Sequence, residues 1–237
     1  MTNGWDESAA AWIADMDNAS EFSRRHVLDP VMRERALASG AKHALDVGCG
    51  EGRFCRMLSD MGISATGLDP TKGLLAEARR RDPTGAYVEG VAEALPFPDA
   101  AFGLVVSYLT LIDIAGLEPA MAEMNRVLKP GGRLLIANLT NFITAGVEIG
   151  WSHNDKGERM AYQIDRYLEE RSAWIEWRGI RILNYHRPLS AYMRSALDHG
   201  LRLTYFDEPR PTADAPADRA RDYTRMPWFF VMEWTRE

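Results

Sequence analysis

Cysteine is scarce in this sequence of 237 residues, which contains only Cys49 and Cys55. The two lie close together and fit neither a disulfide framework nor the ligand spacing of a metal site, so both are excluded. Long hydrophobic runs are also missing, and none approaches the length of a membrane span. The first residues lack the basic and apolar regions of a secretion signal. We therefore expect a cytoplasmic protein without a metal or a membrane span.

Basic residues are in the minority: 28 lysines and arginines stand against 34 aspartates and glutamates, which gives a net charge of −6. Nucleic acids select a basic protein face, so this balance argues against a nucleic-acid partner. Hydrophobic residues form 46% of the sequence, which is enough for a substantial core. The length fits a single domain over residues 1–237.

The segment 44–52 is the most informative part of the sequence. Ala44 to Val47 form a short apolar run that is typical of a buried strand, and a G-x-G-x-G pattern follows before a helix begins near Arg53. Glycines in such a turn let a ligand approach the backbone and leave amide groups free to bind it. About twenty residues on, Asp69 ends the next predicted strand, where a carboxylate can hold both hydroxyls of a ribose. Together they predict a nucleoside-binding corner.

The glycine spacing disfavours a nicotinamide nucleotide. That fingerprint is G-x-G-x-x-G, and its third glycine position is occupied here by Arg53. Asp46 lies just before the glycines, where a carboxylate favours a cationic ligand over a pyrophosphate. A nucleotide-dependent oxidoreductase with an unusual turn remains as an alternative.

Four segments resemble motifs of the class I S-adenosylmethionine (SAM) methyltransferases, and they are residues 44–52, 89–99, 101–107 and 123–136. The resemblance is continuous over residues 44–138. A weaker similarity over residues 185–190 and 208–209 is to the small-molecule group that includes the ubiquinone and menaquinone methyltransferases. This sequence departs from the family at Val91, where many members have an aspartate that binds the adenine amino group, and at Gly103, where most have an aspartate.

The resemblance implies a SAM cofactor, S-adenosylhomocysteine (SAH) as its product, and transfer of a methyl group to a small-molecule acceptor. Aromatic and lipid-like acceptors are both candidates, and O, N and C methylation remain open. A catalytically silent SAM-binding or SAH-binding regulatory subunit is the second alternative. Methylation of nucleic-acid bases is disfavoured, because Ser107-Tyr108-Leu109-Thr110 stands where those enzymes carry an N-P-P-Y or D-P-P-Y motif.

The family pattern also assigns cofactor-binding residues. It implies that the glycine turn and the end of strand 4 face the methionine part, that Asp69 holds the ribose and that Pro70 lies against the adenine. An arginine of the N-terminal helices, Arg25 or its neighbour Arg24, is the candidate partner of the cofactor's carboxylate, because a planar guanidinium matches that group. The remaining residues of this set are Asp46, Gly48, Cys49, Gly50, Ala92, Glu93 and Ser107.

Strand and helix patterns alternate along residues 43–138 and predict a doubly wound α/β fold with a parallel sheet. The predicted strands are 43–47, 64–69, 86–89, 103–107 and 132–138, and the helices are 53–61, 71–82 and 117–128. The resemblance implies a seven-stranded, mostly parallel, Rossmann-like sheet with an antiparallel last strand. A helix over 190–199 and strands over 201–207 and 227–235 complete it, with a proline-rich loop at 209–216.

Two regions lie outside this alternation. Residues 1–40 form an N-terminal helical cap before the SAM-binding core of 41–139, and the helical pattern over 8–38 is expected to break at Pro30. Residues 140–185 are rich in aromatic side chains and form a predicted substrate lid, because a long connection in a compact domain is usually functional. We expect a helix around 161–171 and a strand around 175–183 in the lid. Residues 186–237 are expected to form the C-terminal part of the core.

Three residues are candidates for catalysis. His186 is the candidate general base, because histidine titrates near neutral pH and follows the lid close to the expected acceptor. Tyr185 and Tyr108 are candidates for orienting the acceptor. A structural hydrogen-bonding role at the start of a helix is the alternative for His186.

Overall fold

The computed structural model describes residues 3–17 and 22–237. In this part of the chain the strands are β1 (His43–Val47), β2 (Ser64–Asp69), β3 (Ala86–Glu89), β4 (Phe102–Tyr108), β5 (Leu128–Leu139), β6 (Gly150–His153), β7 (Arg159–Gln163), β8 (Arg171–Trp177), β9 (Ile180–His186), β10 (Leu201–Asp207) and β11 (Phe229–Arg236). The helices are α1 (Trp5–Asp17), α2 (Asp29–Ala38), α3 (Arg53–Asp60), α4 (Lys72–Arg81), α5 (Leu117–Val127), α6 (Asn141–Ala145), α7 (Leu189–Asp198) and α8 (Ala217–Arg225). A π-helix spans Arg24–Leu28.

Seven strands form one sheet in the order β10-β11-β5-β4-β1-β2-β3. Neighbours from β5 to β3 are parallel, whereas β11 runs antiparallel to both β5 and β10. The predicted doubly wound sheet with an antiparallel last strand is therefore confirmed. Because the strand order reverses between β1 and β4, the crevice beyond their carboxyl ends is the place where ligands bind in such sheets.

The central strands are buried on both faces, which explains their continuous apolar runs. Successive side chains of a strand point to opposite faces. Val105 accordingly packs in a core cluster with Met121 of α5, while its neighbours Leu104 and Val106 pack in the opposite cluster with Met32 of α2. The two clusters hold the sheet between its two helical layers.

The N-terminal region is helical in its described part, and residues 18–21 of the predicted helical stretch lie outside the described residues. The described residues of this region contain α1 and α2, but the break expected at Pro30 is wrong. The helical backbone continues across Pro30, because the π-helix leads directly into α2. Pro30 is the second residue of α2 and has no N–H group to donate, and it stands where the backbone changes from π-helical to α-helical.

The segment between β5 and α7 contains α6 and two antiparallel hairpins, β6–β7 and β8–β9. The helix expected around residues 161–171 is wrong, since β7 continues to Gln163 and β8 begins at Arg171. The strand expected over 175–183 is two strands. They turn at Arg178 and Gly179, whose φ angles of 45° and 81° are both positive, as a two-residue hairpin turn of this kind requires.

The C-terminal part follows the prediction except for α8. This helix has no fully buried residue, although Ala220 and Tyr223 pack against a core cluster, and its nine mostly polar residues give a weak apolar signal in the sequence. Over residues 3–17 and 22–237, no helix has both the length and the apolar character to cross a membrane.

Candidate functional site

A cavity of about 1000 Å³ lies beyond the carboxyl ends of β1, β2 and β4. Its wall is formed by the glycine turn after β1, the end of β2 and the loops after β3 and β4. Helix α1 and the β8–β9 hairpin also contribute to it. Most of the cofactor-binding residues predicted from the sequence thus lie in the wall of this cavity, which the segment 140–185 also reaches, whereas Arg25, Ser107 and His186 do not line it.

The turn after β1 can be made only with glycine at its tightest point. Gly48 has a φ of +74°, and a Cβ atom there would lie 2.1 Å from Cγ2 of Thr110. The N–H groups of Gly48 and Cys49 donate to the carbonyl of Leu68 at 2.7 and 3.0 Å. These bonds fix the turn to β2 and place Cys49 and Gly50 in the cavity wall.

Asp69 is held at the end of β2 by two backbone donors. The N–H of Gly50 donates to Oδ2 at 2.9 Å, and the N–H of Thr71 donates to Oδ1 at 2.8 Å. Each carboxylate oxygen keeps further acceptor capacity. Burial raises the pKa of Asp69, although both backbone bonds act in the opposite direction. Asp69 and Pro70 therefore present an oriented acceptor and an apolar ring to a ligand in the cavity.

Asp46 carries a buried oxygen without a partner. Its Oδ2 accepts a hydrogen bond from the thiol of Cys55 at 3.5 Å, while Oδ1 has no hydrogen-bond partner among the described residues. Burial raises the pKa of this carboxyl to about 7. A buried acceptor without a donor costs free energy, so Asp46 is suited to a cationic donor supplied by a ligand.

Of the two candidate arginines, the structure places Arg24 in the cavity wall, while Arg25 is exposed and is not among the lining residues. Arg24 opens the π-helix, a type of turn that is frequent at functional sites. Its guanidinium lies 5.1 Å from the ring of Trp12 and 6.0 Å from that of Tyr108. Burial lowers the pKa of Arg24.

Tyr108 lines the cavity, but its hydroxyl is bound to the protein. It donates to Oδ1 of Asp29 at 2.8 Å, and Asp29 also forms a bidentate ion pair with Arg53. Burial and the neighbouring Asp29 carboxylate raise the pKa of Tyr108 well above its usual range. Its phenol is thus a fixed part of the wall.

The remaining cofactor candidates differ in their access to the cavity. Ala92 and Glu93 line it together with Val91. Glu93 is tied down, because its Oε1 accepts the N–H of Gly116 at 3.2 Å. Ser107 is completely buried at the end of β4 and is not among the lining residues.

His186 lies beneath the lid, outside the set of residues that line the cavity. Its Nε2 donates to the carbonyl of Tyr167 at 2.9 Å, and its Nδ1 accepts from the hydroxyl of Thr144 at 2.7 Å. Burial lowers its pKa. Proton removal by His186 stays a prediction that this geometry does not support, because both ring nitrogens are engaged. Tyr185, the next residue along β9, does line the cavity.

Asp113 was missed by the sequence reasoning, although an isolated acid between Ile112 and Ile114 is a visible signal. It lies in the cavity wall after β4, and its Oδ1 accepts from the side-chain amide of Asn184 on β9. Trp5 of α1 is its second hydrogen-bonding neighbour. Burial raises the pKa of Asp113 well above its usual range.

Comparison with known proteins agrees with this geometry. The family model described as a methyltransferase domain matches residues 45–136. The chain is 33% identical to a malonyl-[acyl-carrier protein] O-methyltransferase of Serratia marcescens, over 70% of this chain and 69% of that protein. It is 35% identical to a demethylmenaquinone methyltransferase of Beutenbergia cavernae, over 48% of this chain and 49% of that protein. The chain spans about half the length of several curated relatives.

A solved structure shows the same fold. The S-adenosylmethionine-dependent methyltransferase from Mesorhizobium loti superposes with a TM-score of 0.74 at 26% identity, covering 82% of this chain and 90% of that one. The chain therefore belongs to the class I SAM-dependent methyltransferases, and SAM is its cofactor.

Proposed function

We propose that the chain transfers the methyl group of SAM to a small-molecule acceptor bound beneath residues 140–185. The observation that carries this proposal is the meeting of three groups in one cavity: the glycine turn, the Asp46 oxygen without a partner, and the fixed carboxylate of Asp69. Relatives are named for malonyl-[acyl-carrier protein] and demethylmenaquinone, so the family contains both O-methylating enzymes and enzymes of quinone metabolism.

The cofactor fits the half of the cavity next to the sheet. SAM carries an ammonium, a carboxylate and a sulfonium. Asp46 supplies the acceptor for the ammonium, Arg24 faces the carboxylate, and Asp69 accepts from the ribose hydroxyls. Pro70 and Ala92 bound the adenine, with Glu93 at its edge. What this chain contributes is binding, orientation and exclusion of water, since the activated methyl group comes with the cofactor.

The acceptor fits the opposite half of the cavity, which we call the acceptor pocket. It is lined by Trp5, Trp12, Asp113, Trp177, Asn184 and Tyr185. Three of these come from the β8–β9 hairpin, which supports a lid role for this part of the segment 140–185. Trp151, by contrast, lies outside the cavity and packs edge-to-face on Tyr162 at 5.4 Å.

Replacing Asp69 by alanine is expected to weaken SAH binding by roughly 1–3 kcal/mol, because charge-assisted hydrogen bonds to the ribose are lost. Isothermal titration calorimetry measures this directly. Glu89→Ala is the matched control, since Glu89 ends the neighbouring strand β3 and does not line the cavity. Its SAH affinity should equal that of the wild type. Micromolar binding of NAD without binding of SAH would contradict the proposal, as would an unchanged affinity in a folded Asp69→Ala variant.

The two lid tryptophans should separate acceptor binding from cofactor binding. Trp177→Ala removes an indole from the acceptor pocket. The assay is methyl incorporation from labelled SAM into a deproteinised low-molecular-mass extract, which should fall by roughly tenfold. The affinity for SAH should change by less than ~1 kcal/mol. Trp151→Ala, in the same segment, should leave both quantities near the wild-type values. A collapse of SAH affinity in a folded Trp177→Ala protein would show that the hairpin belongs to the cofactor site.

A further inference from the structure

The walls of the acceptor pocket are aromatic. The rings of Trp5 and Trp12 meet edge-to-face with centroids 5.1 Å apart, and those of Trp12 and Trp177 do so at 6.4 Å. Indole faces are the side-chain surfaces that attract cations most strongly, and they also cover flat apolar groups. The pocket therefore favours a ligand with a flat apolar part. The polar residues of the pocket determine which polar group on that ligand is bound.

Burial raises the pKa of Asp113, and the Asp69 carboxylate raises it further. The hydrogen-bonding neighbours of Asp113, Asn184 and Trp5, are neutral donors. No lysine, arginine or histidine in the described part of the chain forms an ion pair with it. Asp6 of α1 lines the same cavity. Asp15, another acid in the cavity wall, is paired with Arg178 at 2.7 Å. A carboxylate that is removed from water without a partner cation costs free energy. A ligand that places a cation beside Asp113 removes this cost, and its binding is strengthened accordingly.

The backbone around Asp113 is fixed by β9 and the residue after it. Arg187 is buried, and its guanidinium donates to the carbonyls of Leu111, Ile114 and Ala115 at 3.1, 2.7 and 2.8 Å. The N–H of Tyr185 donates to the carbonyl of Ile112 at 2.7 Å. A carboxylate held on such a loop keeps its position when a ligand enters, which is what precise recognition requires.

We propose that the acceptor is an amine attached to a flat apolar group, with its nitrogen bound at Asp113 and its flat part against the three indoles. This inference rests on the proposed function and names its substrate class. Arg53 in the cavity wall is paired with Asp29, and the guanidinium of Arg24 lies 5.1 Å from the ring of Trp12, one of the three indoles. No ion pair joins either arginine to Asp113 among the described residues. The pocket thus offers an anionic acceptor no cation beside Asp113.

The chemistry balances with groups already present. An ammonium substrate first gives one proton to the Asp113 carboxylate and becomes a neutral amine. The nitrogen lone pair then forms the bond to the methyl carbon while the methyl–sulfur bond breaks, and that electron pair leaves with the sulfur. The product is a methylated ammonium and a neutral thioether, and the proton on Asp113 passes to solvent when the product leaves.

Binding to the SAH-loaded enzyme tests the inference without turnover. Two matched sets of probes share a ring and differ in the polar end: phenethylamine, phenethyl alcohol and hydrocinnamate, and tryptamine, tryptophol and indolepropionate. Calorimetry near neutral pH should show that the amine of at least one set binds about tenfold or more tightly than its alcohol and carboxylate. Asp113→Asn should remove that preference while SAH affinity stays within about threefold.

Asp15→Asn is the matched control, because it neutralises another acid of the same cavity whose charge Arg178 already balances. It should keep the amine preference. Three results would overturn the inference: an equal loss of amine preference in both variants, tightest binding of the carboxylate, or no amine preference in either set. If the protein still binds SAH in these cases, the proposed function is unaffected. A wild-type protein that binds no SAH would overturn both.

Discussion

Replacing Gly48 by alanine is expected to lower the stability of the protein without bound cofactor by roughly 2–5 kcal/mol. Two costs add. An alanine at a φ of +74° is strained, and its Cβ would lie 2.1 Å from Cγ2, 2.6 Å from Oγ1 and 2.9 Å from Cβ of Thr110. Rotation of the Thr110 side chain moves the first two atoms but not the third, so the turn itself must shift. Thermal unfolding should show a midpoint lower by about 10 °C.

Gly62→Ala separates the two costs. Gly62 has a φ of +79°, and a Cβ there would meet nothing within 4 Å, so it carries the backbone strain alone. Its loss should be roughly 1 kcal/mol. Thr110→Gly combined with Gly48→Ala should recover part of the stability, because all three colliding atoms are gone. Equal losses at Gly48 and Gly62, or no recovery in the double variant, would show that the contact with Thr110 does not constrain the turn.

The cofactor corner could be predicted because its information is local in the sequence. Asp69 ends β2 and Gly48 directly follows β1, and the parallel pairing of the two strands brings these residues together. Strand pairing of this kind follows from the alternation of strands and helices alone. The alternation also predicted the parallel sheet, whereas the antiparallel last strand was implied by the family resemblance, and the structure confirms both.

The acceptor side could not be predicted, because its residues acquire their roles from distant partners. His186 is engaged by Thr144 and Tyr167, and Asp113 is oriented by Trp5 and Asn184. These pairings depend on how the hairpin and α1 pack on the sheet, and no spacing in the sequence encodes them.

The N-terminal arginines illustrate the same limit at a smaller scale. Which of Arg24 and Arg25 reaches the cavity depends on the register of the π-helix, since adjacent residues of a helix face different directions. Either residue satisfies the chemical requirement of a guanidinium near a carboxylate. The π-helical turn determines which arginine reaches the cavity, and the composition of the segment does not reveal that turn.

Asp46→Asn is expected to stabilise the protein without cofactor at pH 8 and to weaken SAH binding at the same pH. Burial raises the pKa of Asp46 from 3.8 to about 7 in the folded state. Between those values the folded protein keeps a proton that the unfolded chain has released, so stability falls as pH rises from about 4 to about 7 and stays lower above it. Linkage turns the difference between 3.8 and about 7 into an upper limit of about 4 kcal/mol. Asparagine does not titrate and avoids this loss, although its own buried amide reduces the gain.

The ligand experiences the opposite effect. An ionised Asp46 attracts the ammonium of SAH, and a neutral amide does not, so affinity at pH 8 should fall by roughly tenfold or more in the variant. Wild-type affinity should rise between pH 6 and 8, and the variant should lose that dependence. Thermal unfolding at pH 5 and pH 8 with calorimetry of SAH measures both quantities. A variant that is less stable at pH 8, or that binds SAH as tightly as the wild type, would show that the orphaned oxygen of Asp46 is not reserved for the cofactor.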